Sequence, residues 1–107
     1  MAQVRFLEAQ QRLTAYLEGE LDHHNAQQLR ERIDAQVLSL TPQTLVLDLG
    51  GVTFMDSSAV GLILGRSTMM KVLGGSLRIA HPPAQLVRIL QLAQITIDSQ
   101  QEEVKIS

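Results

Sequence analysis

The sequence has no cysteine in 107 residues, which removes disulfides, thiol nucleophiles and cysteine-based metal sites together. It has no excess of charge either. Nine Lys and Arg against eleven Asp and Glu leave a net charge of −2, so nothing electrostatic draws the chain to nucleic acid or to an anionic membrane. Long apolar runs are also missing: a charge-free apolar stretch such as Ser57 to Gly65 is too short to cross a bilayer. The start, MAQVRFLEAQ, lacks the charged residues followed by an apolar core that mark a secretory signal. Repeats, linkers and low-complexity segments are absent as well. The expectation is a single small domain over residues 1–107, in the cytoplasm, meeting neither nucleic acid nor membrane. Hydrophobic residues at 45% and charged residues at 19% are ordinary for a globular domain, and a chain of this size buries roughly two-thirds of its unfolded surface.

What is present is organised around Leu45 to Arg66, LVLDLGGVTFMDSSAVGLILGR. Leu45 to Leu49 contains one polar residue, Asp48, and is ended by Gly50-Gly51, which predicts a strand buried on both faces. A small apolar set, Val52 to Met55, leads to Asp56-Ser57-Ser58. The spacing of Val60, Ile63 and Leu64 then predicts a helix from Ser58 to about Leu73, stopped by Gly74-Gly75. Asp and Ser side chains cap helix N-termini by accepting bonds from the first free backbone N–H groups. The same N-termini carry partial positive charge and suit anions, phosphate included.

Before this unit, Val4 to Leu7 and Leu13 to Leu17 read as two strands joined by a polar turn at Glu8 to Gln11, the second burying Leu13, Ala15 and Leu17. After Glu18-Gly19-Glu20 and Leu21 to Asn25, an amphipathic helix puts Ala26, Leu29, Ile33, Val37 and Leu40 on one stripe. Gln27, Arg30, Glu31, Arg32 and Asp34 face out. Asn25 with Gln28 resembles a capping box, and Thr41-Pro42 stops the helix. Beyond the central unit, Ser76 to Ala80 reads as a strand with Leu77 and Ile79 inward. His81-Pro82-Pro83 breaks it; Leu86, Val87, Leu90 and Ala93 mark a third helix, and Ile95 to Ile97 a last short strand, with a further strand at Val104 to Ile106. The order β-β-α-β-α-β-α-β predicts an α/β domain with a mixed, mainly parallel sheet packed with helices. The Asp56-Ser57-Ser58 loop then lies at the carboxyl end of a central strand, where sites of open α/β sheets concentrate.

Catalytic patterns are not evident. Ser57 lies in Met55-Asp56-Ser57-Ser58-Ala59, which is not the Gly-x-Ser-x-Gly elbow of a serine hydrolase, so no enzyme is expected. His23 and His24 are adjacent and point apart on regular backbone, and with His81 they make no metal site. Gly74-Gly75 belongs to no phosphate-binding glycine fingerprint, and no cofactor is expected. Gly61 and Gly65 each cost about 1 kcal/mol relative to alanine inside a helix, and with Ser58 they form a small-residue stripe. The residues leave open whether that stripe packs on the sheet or receives a partner, and whether Ser57 and Ser58 are caps or phosphate acceptors.

Together, Gly19-Glu20-Leu21-Asp22-His23-His24, Phe54-Met55-Asp56-Ser57-Ser58 and Ile63-Leu64-Gly65-Arg66 resemble the bacterial anti-sigma factor antagonists of the STAS domain family, on their sporulation branch. The resemblance runs from about Val4 to Ile97. It implies a partner-switching protein of transcription regulation. The unphosphorylated antagonist binds an anti-sigma factor that is also a serine kinase and displaces the sigma factor. The kinase then phosphorylates the serine after the Asp, here Ser57, and a PP2C-type phosphatase restores the active form. Asp22, His23, His24, Phe54, Met55, Asp56, Ser57, Ser58, Gly61 and Arg66 would form the partner surface. The alternative is a non-phosphorylated STAS scaffold or a ligand- or nucleotide-binding module. Two departures stand out. Ala59-Val60 replaces the usual glycine and leucine and adds a methyl group beside the acceptor, and Asp98 to Ser107 leaves the final helix of the family missing or reduced to a turn.

Overall fold

A computed structural model describes residues 1–98; the expectations for Val104 to Ile106 and for the final helix lie outside the described residues. Among the described residues five strands form one sheet in sequential order: β1 (Ala2–Ala9), β2 (Arg12–Leu21), β3 (Thr44–Met55), β4 (Ser76–Ala80) and β5 (Thr96–Asp98). β1 and β2 form an antiparallel hairpin, and every later pair is parallel, crossed by α1 (Ala26–Leu40), α2 (Ser57–Val72) and α3 (Ala84–Leu92). The mixed, mainly parallel sheet with three helices is the architecture that the order of elements predicts.

The hairpin is tighter than the expected Glu8 to Gln11 turn. Ala9 pairs with Arg12, and only Gln10 and Gln11, both with positive φ, make the loop. Two left-handed residues match the twist of the flanking strands, so the pairing extends to the loop itself. On β2, β3 and β4, Leu13, Ala15, Leu17, Leu45, Leu47, Leu49, Leu77 and Ile79 point to one face. There they meet Leu29, Ile33 and Val37 of α1, Ala59, Ile63 and Met70 of α2, and Leu86 and Leu90 of α3 in a single buried cluster. All three helices therefore cover the same side of the sheet. The opposite face carries polar pairs: Arg12 Nη2 lies 2.6 Å from Asp98, and His81 Nδ1 lies 3.1 Å from Asp48. His81 thus has an acidic partner across the strand ends.

Two strands are longer than expected. β2 runs past Leu17 to Leu21, and β3 passes through Gly50-Gly51 to Met55. Glycine reads as a stop, but here it admits the neighbouring strand. A Cβ on Gly51 would come within 2.9 Å of Glu18 Cγ and 3.1 Å of the Leu17 carbonyl oxygen. The register shifts between Tyr16 and Glu18 and again between Gly19 and Glu20, and pairing then continues to Leu21 opposite Met55. This extension carries the end of β3 to the level of the loop after β2. β5 is displaced by one residue from Ile95–Ile97, within the usual scatter of element ends.

The helices differ from expectation in their caps and flanks. The Asn25–Gln28 capping box does not form: Asn25 makes no side-chain cap bond, and its amide donates instead to the Glu20 carbonyl at 3.0 Å. Asp22 takes over, accepting from the backbone N–H of His24 at 3.0 Å and of Asn25 at 3.2 Å. α2 begins at Ser57, one residue early, because Asp56 is its N-cap. The α1 stripe is narrower than Ala26 to Leu40; Leu29, Ile33 and Val37 are buried, and Leu40 is exposed. On α2 the inward side is Ala59, Leu62, Ile63, Arg66, Ser67 and Met70, and Leu64 faces out. Among the described residues, no helix is long and apolar enough to cross a membrane.

Candidate functional site

Parallel strands place their carboxyl ends side by side, and the ends of β2 and β3 meet through two loops. The Asp56 N–H donates to the Leu21 carbonyl at 3.2 Å. The Asp56 side chain then joins two segments. Oδ1 accepts from the Ser58 N–H at 2.8 Å, Oδ2 accepts from the His23 N–H at 3.3 Å, and the His23 ring nitrogen Nδ1 lies 3.6 Å from Oδ2. The Ser58 N–H bond holds the Asp56 carboxyl below the usual carboxylate range; partial burial opposes this, and the Ser58 hydroxyl and His23 add to it. One carboxylate therefore caps α2 and fastens the β2–α1 loop to it.

That bond has a pH signature. A carboxyl whose pKa is depressed by folding stabilises the fold above its unfolded value of about 3.9, and the stabilisation is lost as pH falls through the lower folded value. In denaturant titrations between neutral and strongly acidic pH, Asp56→Asn should be less stable than the parent at neutrality. The gap should close below about pH 4. A gap that persists unchanged in acid would contradict the capping role of the ionised group.

On this platform Ser57 is the first residue of α2 and is exposed, while Ser58 is half-buried with its backbone N–H given to Asp56. Phe54 is 54% exposed at the end of β3, and Met55 packs against the core. Asp22, His23 and His24 line the neighbouring loop, with the two imidazole rings 4.0 Å apart and tilted. Among the described residues no group of three or more His, Cys, Asp or Glu could hold a metal ion. Ala59 departs from expectation: it is fully buried, so its methyl group points into the core and not toward the acceptor.

Gly61 and Arg66 stand further along α2, beside a groove of about 440 Å³ between α1 and α2 that His23 and Ser58 also border. Arg66 is 8% exposed, and its Nε lies 3.0 Å from Asp34 Oδ1 in an ion pair that lacks hydrogen-bond alignment. Burial pulls the Arg66 guanidinium below its ordinary range; Asp34 opposes this and Arg30 adds to it. The structure thus brings Asp22, His23, His24, Phe54, Met55, Asp56, Ser57 and Ser58 to one end of the sheet, with Gly61 and Arg66 on the adjoining flank. Arg30 is exposed as the sequence predicts, though it borders the groove, whereas Asp34, expected to face solvent, is half-buried against Arg66. Their four-residue spacing beside Ile33 marks a helix flank, and α2 is what that flank meets.

A family model described as STAS domain matches residues 6–101. The anti-sigma F factor antagonist of Lysinibacillus sphaericus is 37% identical over 75 residues, covering 70% of this chain and 64% of that protein. The chain thus spans under two-thirds of that relative's length. The anti-sigma F factor antagonist of Paenibacillus polymyxa is 33% identical over 81 residues, 76% of this chain and 69% of that protein. Among solved structures, the anti-sigma factor antagonist SpoIIAA in its unphosphorylated form superposes with a TM-score of 0.77 at 27% identity, over 95% of this chain and 94% of that one.

Proposed function

The chain belongs to the STAS domain family, and from that premise we propose that it is an anti-sigma factor antagonist switched by phosphorylation of Ser57. The carrying observation is the exposed Ser57 hydroxyl at the head of α2, beside the Asp56 cap and the exposed Phe54. Relatives named as anti-sigma F factor antagonists, and a solved antagonist described by its phosphorylation state, supply the context. Those names describe binding regulators and not enzymes.

In the unphosphorylated state the surface around Ser57 binds an anti-sigma factor that is also a serine kinase, and the sigma factor is released. The kinase transfers phosphate to the Ser57 oxygen, which an exposed first-turn position allows without unpacking the core. A PP2C-type phosphatase removes it. Asp22, His23 and His24 flank the surface through the loop that Asp56 fastens. Ser58 is less suited as acceptor, because it is half-buried and engaged with Asp56.

The test is displacement. Unphosphorylated protein added to a preformed complex of its organism's sigma factor and anti-sigma factor kinase should free the sigma factor, as read by size-exclusion chromatography. A complex that persists at saturating protein would defeat the antagonist reading and favour a scaffold or ligand-binding role.

A further inference from the structure

The outer side of α2 carries two glycines that the domain itself does not require. Gly61 and Gly65 lie in the middle of the helix, where glycine is weaker than alanine, yet a Cβ built on either meets nothing within 4 Å among the described residues. Packing against the sheet or a neighbouring helix therefore does not explain them. Both border the groove between α1 and α2.

The chemistry of that groove has one sign. Arg30 and Arg66 line it beside His23, and among the described residues no carboxylate does, although the chain as a whole has a net charge of −2. Asp34 engages only the Nε side of Arg66; Nη1 is buried and has no hydrogen-bond partner among the described residues. A buried guanidinium N–H without an acceptor is costly, and a carboxylate suits the planar guanidinium fork.

We propose that this groove docks a carboxylate-bearing segment of the anti-sigma factor. Its backbone passes over Gly61 and Gly65, and its Asp or Glu lies between Arg30 and Arg66. This rests on the antagonist reading and adds a second contact, lateral to Ser57, that recognises acidic side chains. The missing Cβ atoms let the partner's backbone approach closely, and the guanidiniums set its register.

The test compares the parent with Gly61→Ala, Gly65→Ala and Arg30→Glu by thermal melting and by calorimetric titration with the purified anti-sigma factor of the same organism. The alanine variants should melt higher than the parent yet bind about tenfold more weakly, since a methyl group would hold the partner off. Arg30 is exposed, so Arg30→Glu should melt like the parent, bind about tenfold more weakly or worse, and lose much of the salt dependence of binding. Parent-like affinity in all three variants would overturn the proposal while leaving the antagonist reading intact. Lower melting of the glycine variants would show that the domain needs them, and would also overturn it. A parallel titration with inorganic phosphate covers the small-anion case. Saturable phosphate binding lost in Arg30→Glu, with unchanged affinity for the anti-sigma factor, would replace the proposal with a small-anion site. A parent that binds no anti-sigma factor at all would remove both readings.

Discussion

Stoichiometric phosphorylation of Ser57 should lower affinity for the anti-sigma factor by two or more decades without unfolding the domain. The phosphate adds a charge of about −1.5 to −2 at a residue that is exposed and heads a helix of 16 residues, so it remains in water and the helix dipole partly offsets it. Binding is different, because the partner must cover Ser57 together with the exposed Phe54. A surface built to meet a hydroxyl and an aromatic ring would have to strip water from the phosphate or meet it with like charge. Either costs several kcal/mol, and each 1.4 kcal/mol is a factor of about ten. Asp56 beside it already holds one negative charge, which its bonds to Ser58 and His23 stabilise. Ser57→Asp should reproduce part of the loss, since it brings one charge, and Ser57→Ala should bind like the parent and stay bound. Circular dichroism of the phosphoprotein beside calorimetric titration measures both halves. Melting on phosphorylation, or undiminished binding, would contradict the electrostatic mechanism.

Asp34→Ala should destabilise the domain more than any single change at the exposed site. Arg66 is 8% exposed and has Asp34 as its acidic neighbour at 3.0 Å. Removing one member of a buried pair leaves the other charged and desolvated, at about 3–5 kcal/mol for a fully buried pair. The Asp34 side chain keeps 27% of its surface, so solvent screening brings the expectation down to about 2 kcal/mol, or roughly 10 °C in Tm for a domain of this size. The double variant Asp34→Ala, Arg66→Met should recover much of the loss, because an apolar side chain there leaves no stranded charge. A double variant as unstable as the single one would show that Asp34 acts through something other than Arg66.

The residues announce most of the fold because its signals are local. Leu45 to Leu49, with Asp48 its one polar residue, proves buried throughout, as a central parallel strand should be. Thr41-Pro42 and Gly74-Gly75 end helices where proline and left-handed backbone end them, with Gly74 at φ +85°. What escaped depends on the partner across space. Gly50-Gly51 looks like a stop until the approach of Glu18 and the Leu17 carbonyl is known. Asn25–Gln28 has the spacing of a capping box, yet Asp22, three residues earlier, folds onto the N–H groups of His24 and Asn25 first. Asp34 looks solvated on an isolated α1, and only the position of α2 turns it into the partner of Arg66, while Arg30 stays exposed at the rim of the groove. For the site, the Met-Asp-Ser-Ser block locates the head of α2 in sequence, but neither spacing nor composition reveals that Asp56 ties α2 to the His23 loop.

Whether Ser57 is the switch is decided by following its phosphorylation. The parent and Ser57→Ala are incubated with ATP and the anti-sigma factor kinase of the same organism, and the intact mass of each is followed with time. The parent should gain a single phosphate, mapped by peptide sequencing to Ser57, and Ser57→Ala should gain none while still binding the kinase. Phosphate on Ser58 alone, equal uptake by Ser57→Ala, or a parent that stays unmodified while bound to an active kinase would contradict that role.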